Sequence, residues 1–456
     1  MLFSSIPFAY YFLPAVLALY FAVPFRFKNA VLLAFSLVFY GWGEPVYLLL
    51  MAVSIVAGYG FGLLIGKHRG TKKARLFLTL SVVTSLSLLG WFKYADFMVG
   101  NLNSLGLQLV LPRVALPIGI SFYTFQILSY TIDVYRGNVP AQRNLISFGA
   151  YVSLFPQLIA GPIVRYVDVA RELDHRTHSK EDFAHGLRRF LVGLGKKVII
   201  ADGLALFIEY FRNTSAPSVL FYWGYAVAFS LHIYFDFSGY SDMAIGLGRI
   251  FGFHFMENFN YPYLSRSVTE FWRRWHMSLG SWFRDYVYIP LGGSRVKTGR
   301  WVFNIFVVWM LTGLWHGASW NFVVWGLIFA VLLLVEKWLP QIKKLGRPYV
   351  LLIIMLSFVV FNAVDLKAAA VEIGAMFGLG GLPFVTTETL YYLRSFAPLF
   401  LLAILGSTPI VRDTCRKIED TRLAQILELP MMAGLLLVCT AYLVDGSFSP
   451  FLYFRF

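Results

Sequence analysis

The sequence predicts an all-α polytopic membrane protein, and three observations carry that prediction. Hydrophobic residues make up 58% of the chain and charged residues only 14%, where a soluble domain holds about 25% charged residues. The apolar residues fall in long unbroken runs, many of them near the ~20 residues that a helix needs to cross a bilayer. Aromatic residues reach 18%, with 44 Phe, 26 Tyr and 12 Trp, which suits a helical bundle with packed interior rings and interfacial belts. These runs lack the alternating polarity of membrane β-strands, so a barrel fits poorly.

The elements follow in order. Met1 to Phe25 carries no charged side chain, unlike a secretory signal with its positive start, and reads as a retained first helix. Arg26 and Lys28 come next, placing the N-terminus outside and this loop in the cytoplasm, because Lys and Arg stay on the cytoplasmic side. Gly41-Trp42-Gly43-Glu44-Pro45 reads as the outer turn of a hairpin that ends near Gly66. Lys67, Arg69, Lys72, Lys73 and Arg75 then bring the chain back to the cytoplasm. Further spans are expected at 76–94, 116–134, 190–211, 218–237, 301–316, 319–338, 348–364, 391–406 and 429–446, about 10–12 transmembrane helices in all. Residues 144–163 hold Pro156, Gly161 and Pro162 and read as a broken, re-entrant segment. The stretch 238–300 mixes aromatics with Arg249, Arg266, Arg273, Arg274, Arg284, Arg295, Lys297 and Arg300 and is placed at the cytoplasmic side, partly at the interface. Neither linker nor internal repeat divides the chain, so 1–456 reads as a single integral membrane domain.

Charge and cysteine content narrow the function classes. The net charge is +15, but no soluble module presents the continuous basic face that nucleic-acid binding needs. Cys415 lies in a basic loop and Cys439 in an apolar run, so neither a disulfide framework nor a cysteine metal site is expected. The lack of inverted repeats weakens a transporter reading.

Two histidines stand out. Trp272, Trp275, Leu279, Trp282 and Tyr286 recur at spacings of three and four, which predicts one helix with an aromatic stripe and His276 on its edge. The bland reading is an interfacial helix whose arginines meet phosphates, with His276 a hydrogen-bonded packing residue. His316 lies in Trp309-Met310-Leu311-Thr312-Gly313-Leu314-Trp315-His316-Gly317-Ala318-Ser319-Trp320-Asn321, flanked by apolar runs long enough to span, and is placed inside the membrane in the span 301–316. An ionisable group inside a span is costly and therefore a functional candidate. Desolvation keeps such an imidazole neutral and able to accept a proton, while Gly317, Ala318 and Ser319 leave room beside it. The competing reading is a packing histidine bonded across helices or to Thr312. Asp236 and Asp242 are too loosely spaced to indicate a metal site, Leu291-Gly292-Gly293-Ser294-Arg295 reads as a turn rather than a phosphate cradle, and no nucleophile elbow is present.

Several motifs here resemble the membrane-bound O-acyltransferase family, and specifically its bacterial alginate O-acetyltransferase membrane-subunit branch. They are Phe155-Pro156-Gln157-Leu158-Ile159-Ala160-Gly161-Pro162-Ile163, Phe237-Ser238-Gly239-Tyr240-Ser241-Asp242-Met243-Ala244, Phe271-Trp272-Arg273-Arg274-Trp275-His276, Trp282-Phe283-Arg284-Asp285-Tyr286, Ile289-Pro290-Leu291-Gly292-Gly293-Ser294-Arg295, Leu314-Trp315-His316-Gly317 and the terminal Tyr453-Phe454-Arg455-Phe456. The resemblance implies a ring of tilted helices with re-entrant and interfacial pieces around a thin centre. It implies a multi-pass protein of the bacterial inner membrane that moves an acyl group from a cytoplasmic thioester toward an extracytoplasmic hydroxyl. His316 matches the family's catalytic histidine and His276 its second, supporting one. Acetyl-CoA is the implied donor substrate, with no tightly bound cofactor and no metal. An extracytoplasmic SGNH or esterase-like acyltransferase and a polysaccharide are the implied partners, beside membrane lipids. The alternatives are a D-alanyl-type transferase fed by a carrier protein, a lipid acyltransferase, and a non-enzymatic polysaccharide conduit.

Overall fold

The computed structural model describes residues 1–445, and among them every regular element is a helix. Tyr453-Phe454-Arg455-Phe456 lies outside the described residues. Among the described residues six helices are long and apolar enough to cross a membrane: Leu48–Lys67, Lys72–Ser104, Trp320–Trp338, Pro340–Asn362, Thr387–Gly406 and Arg422–Val444. Pro7–Ala22 is a shorter apolar helix. The chain is a multi-pass membrane protein.

Where the other expected spans differ, the reason is local. The span expected at 190–211 is interrupted by a π-helical turn over Lys196–Ala201, which carries the buried cation Lys197. The span expected at 218–237 runs on as one helix to Ile250, so the irregular part of 238–300 begins only at Phe251. None of the six apolar helices falls within 251–297.

The chain forms two compact units, one of Met1–Phe190 with Ser241–Met256, the other of Leu191–Tyr240 with the chain from Glu257 onward. At the heart of the first is the helix Ile120–Arg136, buried on all sides from Ile120 to Val134 apart from Ile132. A helix buried all round sits inside a bundle rather than on its surface, and Leu48–Lys67 and Lys72–Leu89 pack against it. Its end is fixed by Gly137, whose φ of +80° lets Gly137 and Asn138 both return N–H groups to the Asp133 carbonyl at 2.9 Å. That is the left-handed cap glycine provides. The segment expected to be re-entrant is a helix Leu145–Ser153, a break at Leu154 and one turn Phe155–Leu158, with every residue from Ser147 to Val164 buried.

The second unit is organised by a helical hairpin of Thr298–His316 and Trp320–Trp338. Its helices touch backbone to backbone. A Cβ added at Gly313 would stand 2.2 Å from the Phe322 carbonyl oxygen, and one at Gly326 would stand 2.2 Å from that of Trp309. Small residues of this kind let membrane helices pack closely. The far end of the hairpin carries Glu336, 1% exposed, whose carboxylate accepts from Val268 N–H at 2.5 Å, Thr269 N–H at 3.0 Å and the Thr269 hydroxyl at 2.6 Å. A negative charge on the unsatisfied N–H groups of a helix start is stabilising, and here it ties the helix Val268–Arg274 to the hairpin.

Candidate active site

The aromatic stripe does not lie on one helix. Val268–Arg274 and Met277–Phe283 are separate, and between them His276 adopts φ +45° and ψ +53°. A side-chain-bearing residue in the left-handed region costs about 1–3 kcal/mol and persists only where its surroundings over-determine it. Here residues 258–260 do so by collecting the backbone groups that the break releases. Asn260 N–H donates to the Arg274 carbonyl at 2.9 Å and Met277 N–H to the Asn258 carbonyl at 3.0 Å. Nothing in Trp-Arg-Arg-Trp-His-Met disfavours helix, so the break is imposed by tertiary structure.

The same asparagine positions the histidine. Asn258 Oδ1 accepts from Ser278 N–H at 3.2 Å and from the Ser278 hydroxyl at 2.9 Å, and a backbone N–H can only donate, so the amide oxygen must face this way. His276 Nδ1, 3.1 Å from that oxygen, therefore carries the ring proton. Nε2 holds the lone pair and is buried with no hydrogen-bond partner. His276 is 2% exposed, and burial pushes its pKa down to about 3.

His316 is the last residue of its helix, at the tip of the hairpin, and it is 4% exposed. The hydroxyl of Thr312, one turn earlier, gives its proton to the Val308 carbonyl at 2.8 Å. Trp315, Trp325 and Phe361 meet the His316 ring edge to face at 5.1, 5.2 and 5.4 Å. The Trp325 indole N–H is buried without a hydrogen-bond partner.

The fold brings the two histidines together, with ring centroids 6.4 Å apart. That is too far for a direct hydrogen bond between ring nitrogens. Trp315 touches both rings and Phe237 closes on His276 at 4.6 Å. The aspartates are engaged elsewhere: Asp236 pairs with Lys197 at 2.8 Å and Asp242 with Arg189 at 2.9 Å. No group of three or more metal-ligating side chains occurs among the described residues. Leu291–Arg295 is a turn, with Gly292 and Gly293 at positive φ, and Asn304 holds the carbonyls of Leu291 and Gly293 at 3.2 and 3.1 Å. Sequence reasoning missed Asn258, Trp325 and Glu336; only Glu336, a carboxylate that ends an apolar run beside Lys337, left a readable signal.

The sequence profile of the membrane-bound O-acyltransferase family matches residues 116–380, more than half of the chain and both histidines. The chain belongs to the membrane-bound O-acyltransferase family. Its relatives place it among bacterial O-acyltransferases. It is 42% identical to the probable alginate O-acetylase of Azotobacter vinelandii over the whole of both chains, and 34% identical to the peptidoglycan O-acetyltransferase of Helicobacter pylori over 84% of this chain and 80% of that one. It is 32% identical to the teichoic acid D-alanyltransferase of Bacillus subtilis over 53% of this chain and 65% of that one. The protein is thus a membrane O-acyltransferase of the alginate O-acetylase branch, as its motifs indicate.

Proposed function

We propose that this enzyme moves an acetyl group from acetyl-CoA in the cytoplasm toward a hydroxyl of an extracytoplasmic polysaccharide, directly or through an esterase-like relay protein. The observation that carries the reading is the pair of buried imidazoles, His316 and His276, with ring centroids 6.4 Å apart and Trp315 against both. The names of the relatives support an acyl group going to a polymer hydroxyl, and the basic loops support an inner-membrane orientation with the N-terminus outside and the thioester on the cytoplasmic side.

The pair divides its labour by energetics. At a pKa of about 3, protonating His276 at pH 7 costs about 5 kcal/mol. It is therefore a poor base, and its Nε2 serves as a hydrogen-bond acceptor for the bound substrate. His316 is the general base. It takes the proton of the acceptor hydroxyl as that oxygen bonds to the thioester carbonyl carbon, and the carbonyl oxygen becomes an oxyanion. Collapse breaks the C–S bond, and the thiolate leaves with the proton held on His316. Base catalysis of this kind contributes about 10²–10⁴-fold. The unpaired N–H of Trp325, against the His316 ring, is suited to receive the oxyanion.

The test is transfer of label from acetyl-CoA by purified protein in liposomes, with wild type beside His316→Gln. The expected result is transfer by wild type and none by a well-folded His316→Gln, since Gln keeps hydrogen-bonding ability but cannot take up a proton. Label accepted only from an acylated carrier protein moves the donor assignment to the D-alanyl type. Full activity of His316→Gln overturns the base.

A further inference from the structure

The first unit holds a cluster of cations that acyl transfer leaves unused. Lys28, at the start of the helix Phe25–Gly43, is 9% exposed, and its ammonium lies over the rings of Tyr20 and Phe21 at 4.3 and 5.0 Å. Among the described residues no carboxylate stands within ion-pairing distance of it. Arg176, 7% exposed, donates through Nε to the Tyr20 hydroxyl oxygen at 2.8 Å and through Nη1 to Asn29 Oδ1 at 2.8 Å and the Glu172 carbonyl at 3.1 Å. Its Nη2 is buried with no hydrogen-bond partner. The Tyr20 hydroxyl gives its proton to the Phe251 carbonyl at 2.7 Å, so His178 Nε2, 2.9 Å from the same oxygen, is a second donor turned onto this phenol.

Beside the cluster lies a cavity of about 340 Å³, lined by Phe21, His178, Ser179, Lys180, Asp182 and Arg249 among others. Its one carboxylate is already taken, since Asp182 accepts from Arg249 Nε at 2.7 Å and from the Ser179 hydroxyl at 2.8 Å. Phe21 and His178 belong to both the cavity and the cluster. The positive charge gathered here is therefore uncompensated by protein anions, and a buried cation without a counter-charge is costly.

We propose that this cavity and the cations behind it form a phosphate-binding site. Arg and Lys are the side chains that recognise phosphate, Arg through its fork of N–H groups and Lys as a point charge. His178 reports the same field: burial first, then Lys28 and Arg176, lower its pKa, and a bound anion reverses the latter two. The phosphate belongs either to an anionic phospholipid, whose chains would lie along the exposed Phe21 and Phe25, or to a soluble ligand such as coenzyme A. With coenzyme A as the ligand the site rests on the donor proposed above, whereas the phospholipid assignment is independent of it.

The experiment compares purified wild type, Lys28→Gln and Lys180→Gln with two probes, phosphatidylglycerol in nanodiscs and free coenzyme A, by binding and by melting temperature. At least one probe should bind wild type, raise its melting temperature, and bind both variants roughly ten-fold more weakly. Response to phosphatidylglycerol alone assigns the headgroup. Response to coenzyme A, displaced by inorganic phosphate, assigns the soluble source. Without a probe, Lys28→Gln should melt at least as high as wild type, because it removes a cation beside Arg176, an outcome that a packing role for Lys28 does not give. Absence of binding to either probe, or binding indifferent to both substitutions, overturns the proposal. Lys180 is exposed, so its variant tests the site even if Lys28→Gln folds poorly.

Discussion

The amide oxygen of Asn258 accepts a hydrogen bond from Nδ1 of His276 at 3.1 Å, and this contact decides which side of the imidazole is available. Because the oxygen is also held by Ser278 N–H, the ring cannot turn its lone pair toward Asn258. Asn258→Leu removes the acceptor while nearly keeping the volume. The expected outcome is a fall in kcat of about ten-fold, the equivalent of one lost hydrogen bond, with KM for the donor little changed. Asn258→Asp keeps the acceptor and should restore most of the rate, while its charge raises the pKa of His276 and moves the acid limb of the pH profile upward. Equal activity of the Leu and wild-type enzymes would remove Asn258 from the site.

The histidines were legible in the sequence and the asparagine was not, for a physical reason. His316 announces itself as a lone ionisable group among apolar residues, and His276 as part of an aromatic motif. Asn258 sits in Glu-Asn-Phe-Asn-Tyr-Pro, which has no periodicity, and its importance arises only when residues 258–260 pair with the chain around 274–278. The broken helix was illegible for the same reason. Periodicity reports local preference, whereas the left-handed His276 is imposed by distant backbone groups. Apolar runs fared better: 319–338 and 391–406 became Trp320–Trp338 and Thr387–Gly406, because a run of that length has no alternative to helix.

Burial of His276 has a consequence for acid stability. Its pKa falls from an ordinary 6.5 to about 3 in the folded protein, so below pH 6.5 the unfolded chain takes up a proton that the folded chain refuses. Stability is unaffected by this group above pH 6.5 and is lost progressively as the pH drops toward 3. His276→Gln cannot take up that proton. The melting-temperature advantage of wild type over His276→Gln, measured in detergent, should therefore shrink between pH 7 and pH 4.5. An advantage that stays constant or grows on acidification contradicts a buried neutral imidazole.

The hairpin that carries His316 depends on contact between main chains. At Gly326 an added methyl would meet the Trp309 carbonyl at 2.2 Å, and a backbone atom in a helix cannot swing aside as a side chain can. Gly326→Ala should part the two helices and displace His316 from His276. Expected are loss of most activity and a cost of about 1–3 kcal/mol, typical of overpacking, read as lower yield and melting temperature. Gly60→Ala, where a Cβ meets nothing within 4 Å, serves as the control and should behave as wild type.

Trp325 separates stabilisation of the oxyanion from packing around the base. Its ring is 1% exposed and lies 5.2 Å from that of His316, so removing the whole side chain would disturb both. Trp325→Phe retains an aromatic wall while deleting the indole N–H, which has no partner in the resting protein and so leaves none unsatisfied, together with the volume of one ring. The smaller ring leaves a cavity that lowers stability by about 1 kcal/mol or more under either reading, so kcat separates them. If that N–H meets the oxyanion, kcat should fall by about 10²-fold, the scale on which single oxyanion donors act, while donor KM holds; if the indole merely packs, kcat should stay within a few-fold of wild type. Measuring kcat, KM and melting temperature on one preparation distinguishes the two, and an unchanged kcat returns Trp325 to a packing role.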